Sequence, residues 1–167
     1  LGEHLYGLYQ NKEVIKRLKK VVIAEGEKST LLSATYFNYY DENGNYVNNN
    51  FTVSTCGSSL SQTQIDLILS LGVEEIILAY DRENDFEPDS EKTREYEEKL
   101  KRLIQPLAPF ARVYVLFDYD HQLEMKDSPF DKGKETLLAL MQQKIEIRCI
   151  NDAKWDIDKA FRNKRNK

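Results

Sequence analysis

Val21-Val22-Ile23-Ala24-Glu25-Gly26-Glu27-Lys28-Ser29 is the stretch on which the reading of the whole chain turns. Two Val and one Ile in a short apolar run predict a buried strand over 21–25. Gly26 is read as the sharp turn that ends it, and a helix is expected from about Lys28 to Tyr36 with Leu31, Leu32 and Ala34 inward. A carboxylate at the carboxyl end of a buried strand, just ahead of a helix, stands where open α/β sheets place their ligand sites. One such acid carries little weight, since many strands end in an acid that meets solvent. The chain repeats the pattern: the strand 75–80 runs into Asp81-Arg82-Glu83-Asn84-Asp85, and the strand 113–117 into Asp118-Tyr119-Asp120.

The remaining elements fit between these strands. Asn11 is expected to cap a helix through Lys20 with Val14, Ile15 and Leu18 on one face, after an irregular or short extended lead-in over 1–10. Asn43-Gly44, between Tyr39-Tyr40 and Tyr46-Val47, signals a type I′ hairpin on the surface. A strand over 51–56 closes at Gly57, and Ser61 with Gln64 forms a capping box for a helix that Gly72 ends. A charged helix from about Ser90 to Leu107 presents Tyr96, Leu100, Leu103 and Ile104 inward and Glu97–Lys101 and Glu98–Arg102 pairs outward. Leu137, Leu138 and Met141 mark a last helix, 144–150 alternates as an edge strand, and a basic tail occupies 151–167. Strands alternating with helices predict right-handed crossovers and a mostly parallel sheet of four to five strands, flanked by helices on both faces. The expected organisation is one domain over 1–167 with its core at about 11–150.

Composition narrows the functional classes. With 24 basic and 28 acidic residues the net charge is −4, so a grip on nucleic acid would draw its positive charge from cations or another domain. The longest apolar run, Val113 to Phe117, has five residues, far short of a membrane span. Cys56 and Cys149 fit neither a disulfide framework nor a C-x-x-C site, so a reducing, cytoplasmic location is expected. In a parallel sheet Glu25, Asp81 and the Asp118/Asp127 region reach one edge, where crowded carboxylates repel unless protonated or bridged by cations. Oxygen donors without thiolate or imidazole favour Mg²⁺, with Mn²⁺ as substitute.

Four segments in order, Val21–Ser29 (VVIAEGEKS), Ser54–Ser61 (STCGSSLS), Ile76–Glu83 (IILAYDRE) and Lys126–Gly133 (KDSPFDKG), resemble the Toprim domain of topoisomerases and primases. The resemblance is strongest to bacterial and phage-type DNA primases, and the last segment leans towards phage or mobile-element primases. It implies a Toprim-type, Rossmann-like fold and Mg²⁺-dependent nucleotidyl transfer that makes short RNA primers on single-stranded DNA from ribonucleoside triphosphates. It places the family glutamate, assigned to metal binding or proton transfer, at Glu25. The family D-x-D falls on Asp81 and Glu83, with a longer arm at the second acid, and Asp85 stands as the alternative. Ser29 occupies a position where the family usually has an acid. The primase K/R-D-P-D segment is stretched here to Lys126, Asp127 and Asp131. Metal ligation is thereby expected from Glu25, Asp81, Glu83, Asp85 and Asp127, with Asp118 and Asp131 as further acids. Phosphate contact is expected from Lys28, Lys126, Gly26 and Gly57. The implied partners are a zinc-binding module, a basic subdomain and a replicative helicase, so the chain is expected to be a fragment of a larger primase. A Toprim nuclease and a non-catalytic metal- or phosphate-binding regulatory domain are the competing readings; the Lys126–Gly133 segment speaks against the first and the lack of paired acids after the first strand against the second.

Overall fold

A computed structural model of the chain describes residues 2–87, 90–147, 149–150 and 154–155. Strand β1 (Lys20–Ala24) lies inside a five-stranded sheet. It pairs in parallel with β4 (Thr52–Ser54) on one side and with β5 (Glu75–Ala79) on the other. Strand β6 (Arg112–Val115) continues the parallel order beyond β5, and β7 (Ile145–Ile147) closes that edge antiparallel. Ala24 is level with both Ser54 and Ala79, so the chain leaves β4, β1 and β5 along one line at the carboxyl edge.

Period-2 alternation divides the sheet between two cores. Val21, Ile23, Ile76 and Leu78 face α3 (Gln62–Ser70) and α4 (Glu91–Ile104), meeting Ile65, Ile68, Leu100 and Ile104. Val22, Ala24, Ile77 and Ala79 face Phe130 and the Leu137 and Leu140 of α5 (Lys134–Gln142). Burying each large aliphatic side chain contributes about 1.5–3 kcal/mol, which fixes the register of the central strands. The capping box is present as expected: Ser61 Oγ accepts from the Gln64 amide and Gln64 Oε1 from the Ser61 amide. Gly72 ends α3 with φ at +69°.

Several local expectations are corrected. Helix α1 (Leu8–Leu18) starts earlier than Asn11, behind Gly7 at φ +83°. Asn11 is instead buried in the helix and donates to the Thr52 carbonyl at 2.8 Å. The lead-in is ordered there as well, since Tyr6 exchanges backbone hydrogen bonds with Ser54 (2.9 and 3.0 Å) and covers the β4 edge. Leu18, expected inward, is 38 % exposed. Helix α2 (Glu27–Phe37) turns hydroxyls inward in place of Leu31, which is exposed. Thr30 bonds Ser54 (2.6 Å), and Ser33 bonds Asn50 (2.8 Å) and Thr52 (2.7 Å), because β4 presents polar partners on that side. Gly26 has φ −107°, which any residue adopts, so the turn after Glu25 does not depend on glycine.

The hairpin of β2 (Tyr39–Tyr40) and β3 (Tyr46–Val47) also differs from the expected one. It is joined by five residues, not by a two-residue type I′ turn. Asp41 Oδ1 accepts the amides of Asn43 (2.9 Å) and Asn45 (2.8 Å), and only then does Gly44 turn left-handed. Of the edge strand expected over 144–150, β7 covers Ile145–Ile147, and residue 148 lies outside the described residues. Beyond it, β8 (Cys149–Ile150) pairs with β9 (Lys154–Trp155). The basic residues from 156 onward lie outside the described residues.

Candidate active site

Glu25 emerges from β1 with its backbone held by its neighbours. Its carbonyl accepts the Gly57 amide at 3.3 Å, and the Thr55 amide donates to Ala24 at 3.1 Å. The Gly26 carbonyl accepts Ser54 Oγ at 2.7 Å and the Gly57 carbonyl accepts Thr55 Oγ1 at 2.6 Å. Both glycines lack any atom within 4 Å of an added Cβ, so they border open space. The two positions expected to touch phosphate therefore act first as anchors for Glu25.

From β5 the chain runs on extended, and Arg82 ties it down. Its amide donates to the Asp127 carbonyl (2.9 Å) and its carbonyl accepts the Lys126 amide (2.7 Å). The buried Arg82 guanidinium donates to the carbonyls of Glu124 (3.1 Å) and Asn84 (2.6 Å) and covers the Phe86 ring at 4.0 Å. His121 stacks on the other partner of this pair, its ring 3.8 Å from that of Phe86. With Arg82 committed to the 124–127 loop, Asp81 and Glu83 are left on the side of Glu25.

Lys99 joins them. It lies on the buried face of α4 and is 8 % exposed. Its Nζ is 2.9 Å from Glu25 Oε2 and 3.1 Å from Glu83 Oε2, and 5.3 Å from the centre of the Tyr80 ring. Lys126, at the exposed end of the loop, pairs with the other oxygen of Glu83. Burial pushes the Glu83 carboxyl up, but its bonds to Lys126 and Lys99 outweigh this and hold it below the usual range. Asp81 has the opposite fate. Burial, then the charges of Glu25 and Asp131, push it up to about 6, and Lys99 offsets this only in part. Among the described residues no hydrogen bond reaches its carboxylate.

The other expected acids stand apart from this trio. Asp85 accepts from Ser90 Oγ, Thr93 Oγ1 and the Glu87 amide, which makes it an anchor of the α4 N-terminus. The bonds from Ser90 first of all hold its carboxyl low. Asp118 is buried and accepts the amides of Gln122 (3.0 Å) and Leu123 (2.7 Å), closing the loop after β6. Asp127 accepts the Glu124 amide (2.8 Å) and pairs with Lys132 (3.1 Å). Asp131 accepts the Ser128 amide (3.0 Å) and meets Lys28 at 2.8 Å. Ser29, which departs from the family's usual acid at this position, bonds Ser128 at 2.7 Å and clamps α2 to this loop. The structure thus brings together Glu25, Asp81, Glu83 and Lys126, with Lys28 and Asp131 nearby, and it separates off Asp85 and Asp118.

The donor set can be tested against a divalent cation. Among the described residues no group of three or more His, Cys, Asp or Glu is placed to hold a metal ion, so no all-protein cage is present. Mg²⁺ needs no such cage, since one or two carboxylates plus water and substrate phosphates suffice. Glu25 and Glu83 offer hard oxygens on either side of one ammonium, at most about 6 Å apart given the two Lys99 distances. Asp81 is held up first by burial and then by the charges of Glu25 and Asp131, so its ionised form gains from a nearby cation. The residues fit the cation in kind, with Lys99 between the two nearest donors. An open groove of about 1030 Å³ adjoins Glu83 and Lys99, which line it together with Lys126, Glu95, Tyr96 and Arg102.

Comparison with solved structures decides the fold. The Escherichia coli primase catalytic core superposes with a TM-score of 0.60 at 19 % identity, covering 98 % of this chain and 43 % of that one. The zinc-binding and RNA polymerase domains of Aquifex aeolicus primase superpose at 0.56 and 23 % identity, covering 87 % and 30 %. The fold is the Toprim-type fold of bacterial primase cores. A DnaG primase catalytic domain bound to single-stranded DNA also shares it, with a TM-score of 0.57 at 20 % identity over 87 % of this chain and 41 % of that one. No protein-family model matches the chain. In sequence it is 45 % identical over 150 residues to the SPβ prophage-derived uncharacterized protein YorJ of Bacillus subtilis (strain 168). The alignment covers 86 % of this chain, and the chain spans 37 % of the length of that relative. Among the described residues no helix is long and apolar enough to cross a membrane.

Proposed function

We propose that this chain is the catalytic Toprim domain of a DNA primase, carrying out Mg²⁺-dependent nucleotidyl transfer that builds short RNA primers on a single-stranded DNA template. The observation that carries this reading is the meeting of Glu25 and Glu83, from two adjacent strand ends, around Lys99 and beside the charge-crowded Asp81, in a primase-type fold. Glu25, Asp81 and Glu83 would hold the cation, and Mn²⁺ would serve in its place. When bound, it supplies charge neutralisation at the phosphates that react.

The chain's own residues supply the rest. The loop that Arg82 pins holds Lys126 at the rim, where its ammonium, raised by its bond to Glu83, stays positive to meet an incoming triphosphate. Lys28 is 74 % exposed on the far side of Asp131 and offers a second positive contact. Glu25, at the end of β1, orients the site through a backbone fixed by Gly57 and Thr55. The net charge of −4 supports a division of labour in which further primase parts, a zinc-binding module and a basic subdomain, grip the template and a replicative helicase delivers it.

The test is incorporation of labelled ribonucleotides on single-stranded DNA by the full-length protein. Incorporation that needs Mg²⁺ or Mn²⁺ and is lost in Glu83→Gln is expected. Unchanged incorporation in that variant, or incorporation that persists in a chelator, would contradict the reading.

A further inference from the structure

Lys99 is a residue that metal coordination by itself does not ask for. A lysine 8 % exposed loses most of its hydration, which is costly unless close partners compensate. The compensation here comes from two carboxylates that are far apart in sequence and belong to different strand ends. A cation bridging Glu25 and Glu83 would draw on these same two oxygens and so would have to occupy the space of the ammonium between them. An ammonium holds carboxylate oxygens about 3 Å away, whereas Mg²⁺ draws them in to 2.0–2.1 Å. Two positive centres cannot share that space, because at such separations their repulsion in a partly buried site is large.

We propose that Lys99 is a built-in counter-ion that holds Glu25 and Glu83 in place before any divalent cation arrives, and that the cation enters only by displacing the Lys99 ammonium into the adjoining groove. The inference rests on the reading that these carboxylates take up Mg²⁺ or Mn²⁺. The groove provides the destination. Lys99 itself lines it, and so does the exposed Glu95, one turn earlier on the same helix, which is the i,i+4 orientation in which Glu and Lys pair well. A four-carbon stem lets the ammonium swing without moving α4, whose face is fixed by Tyr96, Leu100 and Leu103. The consequence is a site kept assembled and nearly neutral without metal, at the expense of metal affinity. A substrate whose phosphates add further oxygen donors would tip the exchange in favour of the cation.

This behaviour separates Lys99 from a merely structural lysine, whose removal would weaken metal binding. The experiment is Mn²⁺ titration of the full chain, without nucleotide, followed by spin resonance, for wild type, Lys99→Met, Lys99→Gln and the double variant Lys99→Met with Glu25→Gln. The dissociation constant is expected to fall by about tenfold or more in Lys99→Met and Lys99→Gln, since one positive charge beside the ion is gone, and to rise again in the double variant. A parallel melting series is expected to show Mn²⁺ stabilising both single variants more than wild type. If either variant fails to fold without metal, recovery of its helical circular dichroism on adding Mn²⁺ supports the proposal, and failure to recover overturns it. Saturable binding in wild type that is equal or weaker in both single variants would overturn the role of Lys99 and leave the carboxylate site standing. No Mn²⁺ binding in any of the four would overturn both readings.

Discussion

Asp81→Asn removes a charge and almost nothing else, and its effect on stability can be worked out in advance. Asp81 titrates at about 6 in the folded protein, against about 3.9 in an unfolded chain. The folded-state value is raised, so the fold favours the protonated carboxyl. Its contribution is fully present below about pH 4 and is lost as pH rises through about 6. At pH 7.5 the ionised carboxylate therefore strains the folded state. Two pKa units correspond to about 3 kcal/mol, and discounting for the partial exposure of the group leaves about 1–2 kcal/mol. Asparagine has the same shape and no charge, so Asp81→Asn should be the more stable protein by that amount at pH 7.5. In thermal unfolding this is a rise of roughly 2–8 °C for a chain of this length. The advantage should shrink by about half at pH 5 and disappear near pH 4. Urea or thermal melts of both proteins at these three pH values, in a chelator, test it. A variant no more stable than wild type at pH 7.5, or a difference that does not change with pH, would refute the claim that burial and the neighbouring carboxylates disfavour the ionised Asp81.

Three further substitutions probe the supporting structure. Gly7→Ala places a Cβ 2.6 Å from Thr30 Cγ2 at a φ of +83°, and should cost about 1–3 kcal/mol in urea denaturation. Asp85→Ala should cost about 1 kcal/mol through loss of the α4 anchor while leaving the Mn²⁺ affinity of the chain unchanged, and a changed affinity would return Asp85 to the site. Ser29→Ala leaves the Ser128 hydroxyl with only the Phe130 amide at 3.3 Å and should lower stability by about 1 kcal/mol, read from the same melts.

How much of this was legible in the sequence differs from element to element. The sheet was, because buried parallel strands write themselves as short apolar runs and each is followed by its own turn signal. The convergence of Glu25 and Asp81 was legible for the same reason: parallel strands put all their carboxyl ends on one edge. Glu83 over Asp85 was not. That choice depends on the Ser90 and Thr93 hydroxyls drawing Asp85 to the α4 N-terminus, a contact between a loop and a helix whose angle the sequence does not state. Lys99 went unnoticed inside a helix dense with charge, where a lysine reads as solvated. The signal was there, since Lys99 lies three residues after Tyr96 and four before Leu103, both inward. Helix α2 misled in the opposite direction. Leu31 invited burial by its apolarity, but the neighbouring β4 offers Ser54 and Thr52, and hydroxyls with partners displaced it. The hairpin turn depended on Asp41, whose carboxylate organises the loop before Asn43-Gly44.

The central claim is that Glu25 and its two acidic neighbours form one catalytic metal site in a primase. The most direct measurement is template-directed primer synthesis by the full-length protein on single-stranded DNA with Mg²⁺, comparing wild type, Glu25→Gln and Asp85→Asn. Wild type and Asp85→Asn should make primers, and a folded Glu25→Gln none above background. Primers of normal yield from Glu25→Gln would contradict the claim.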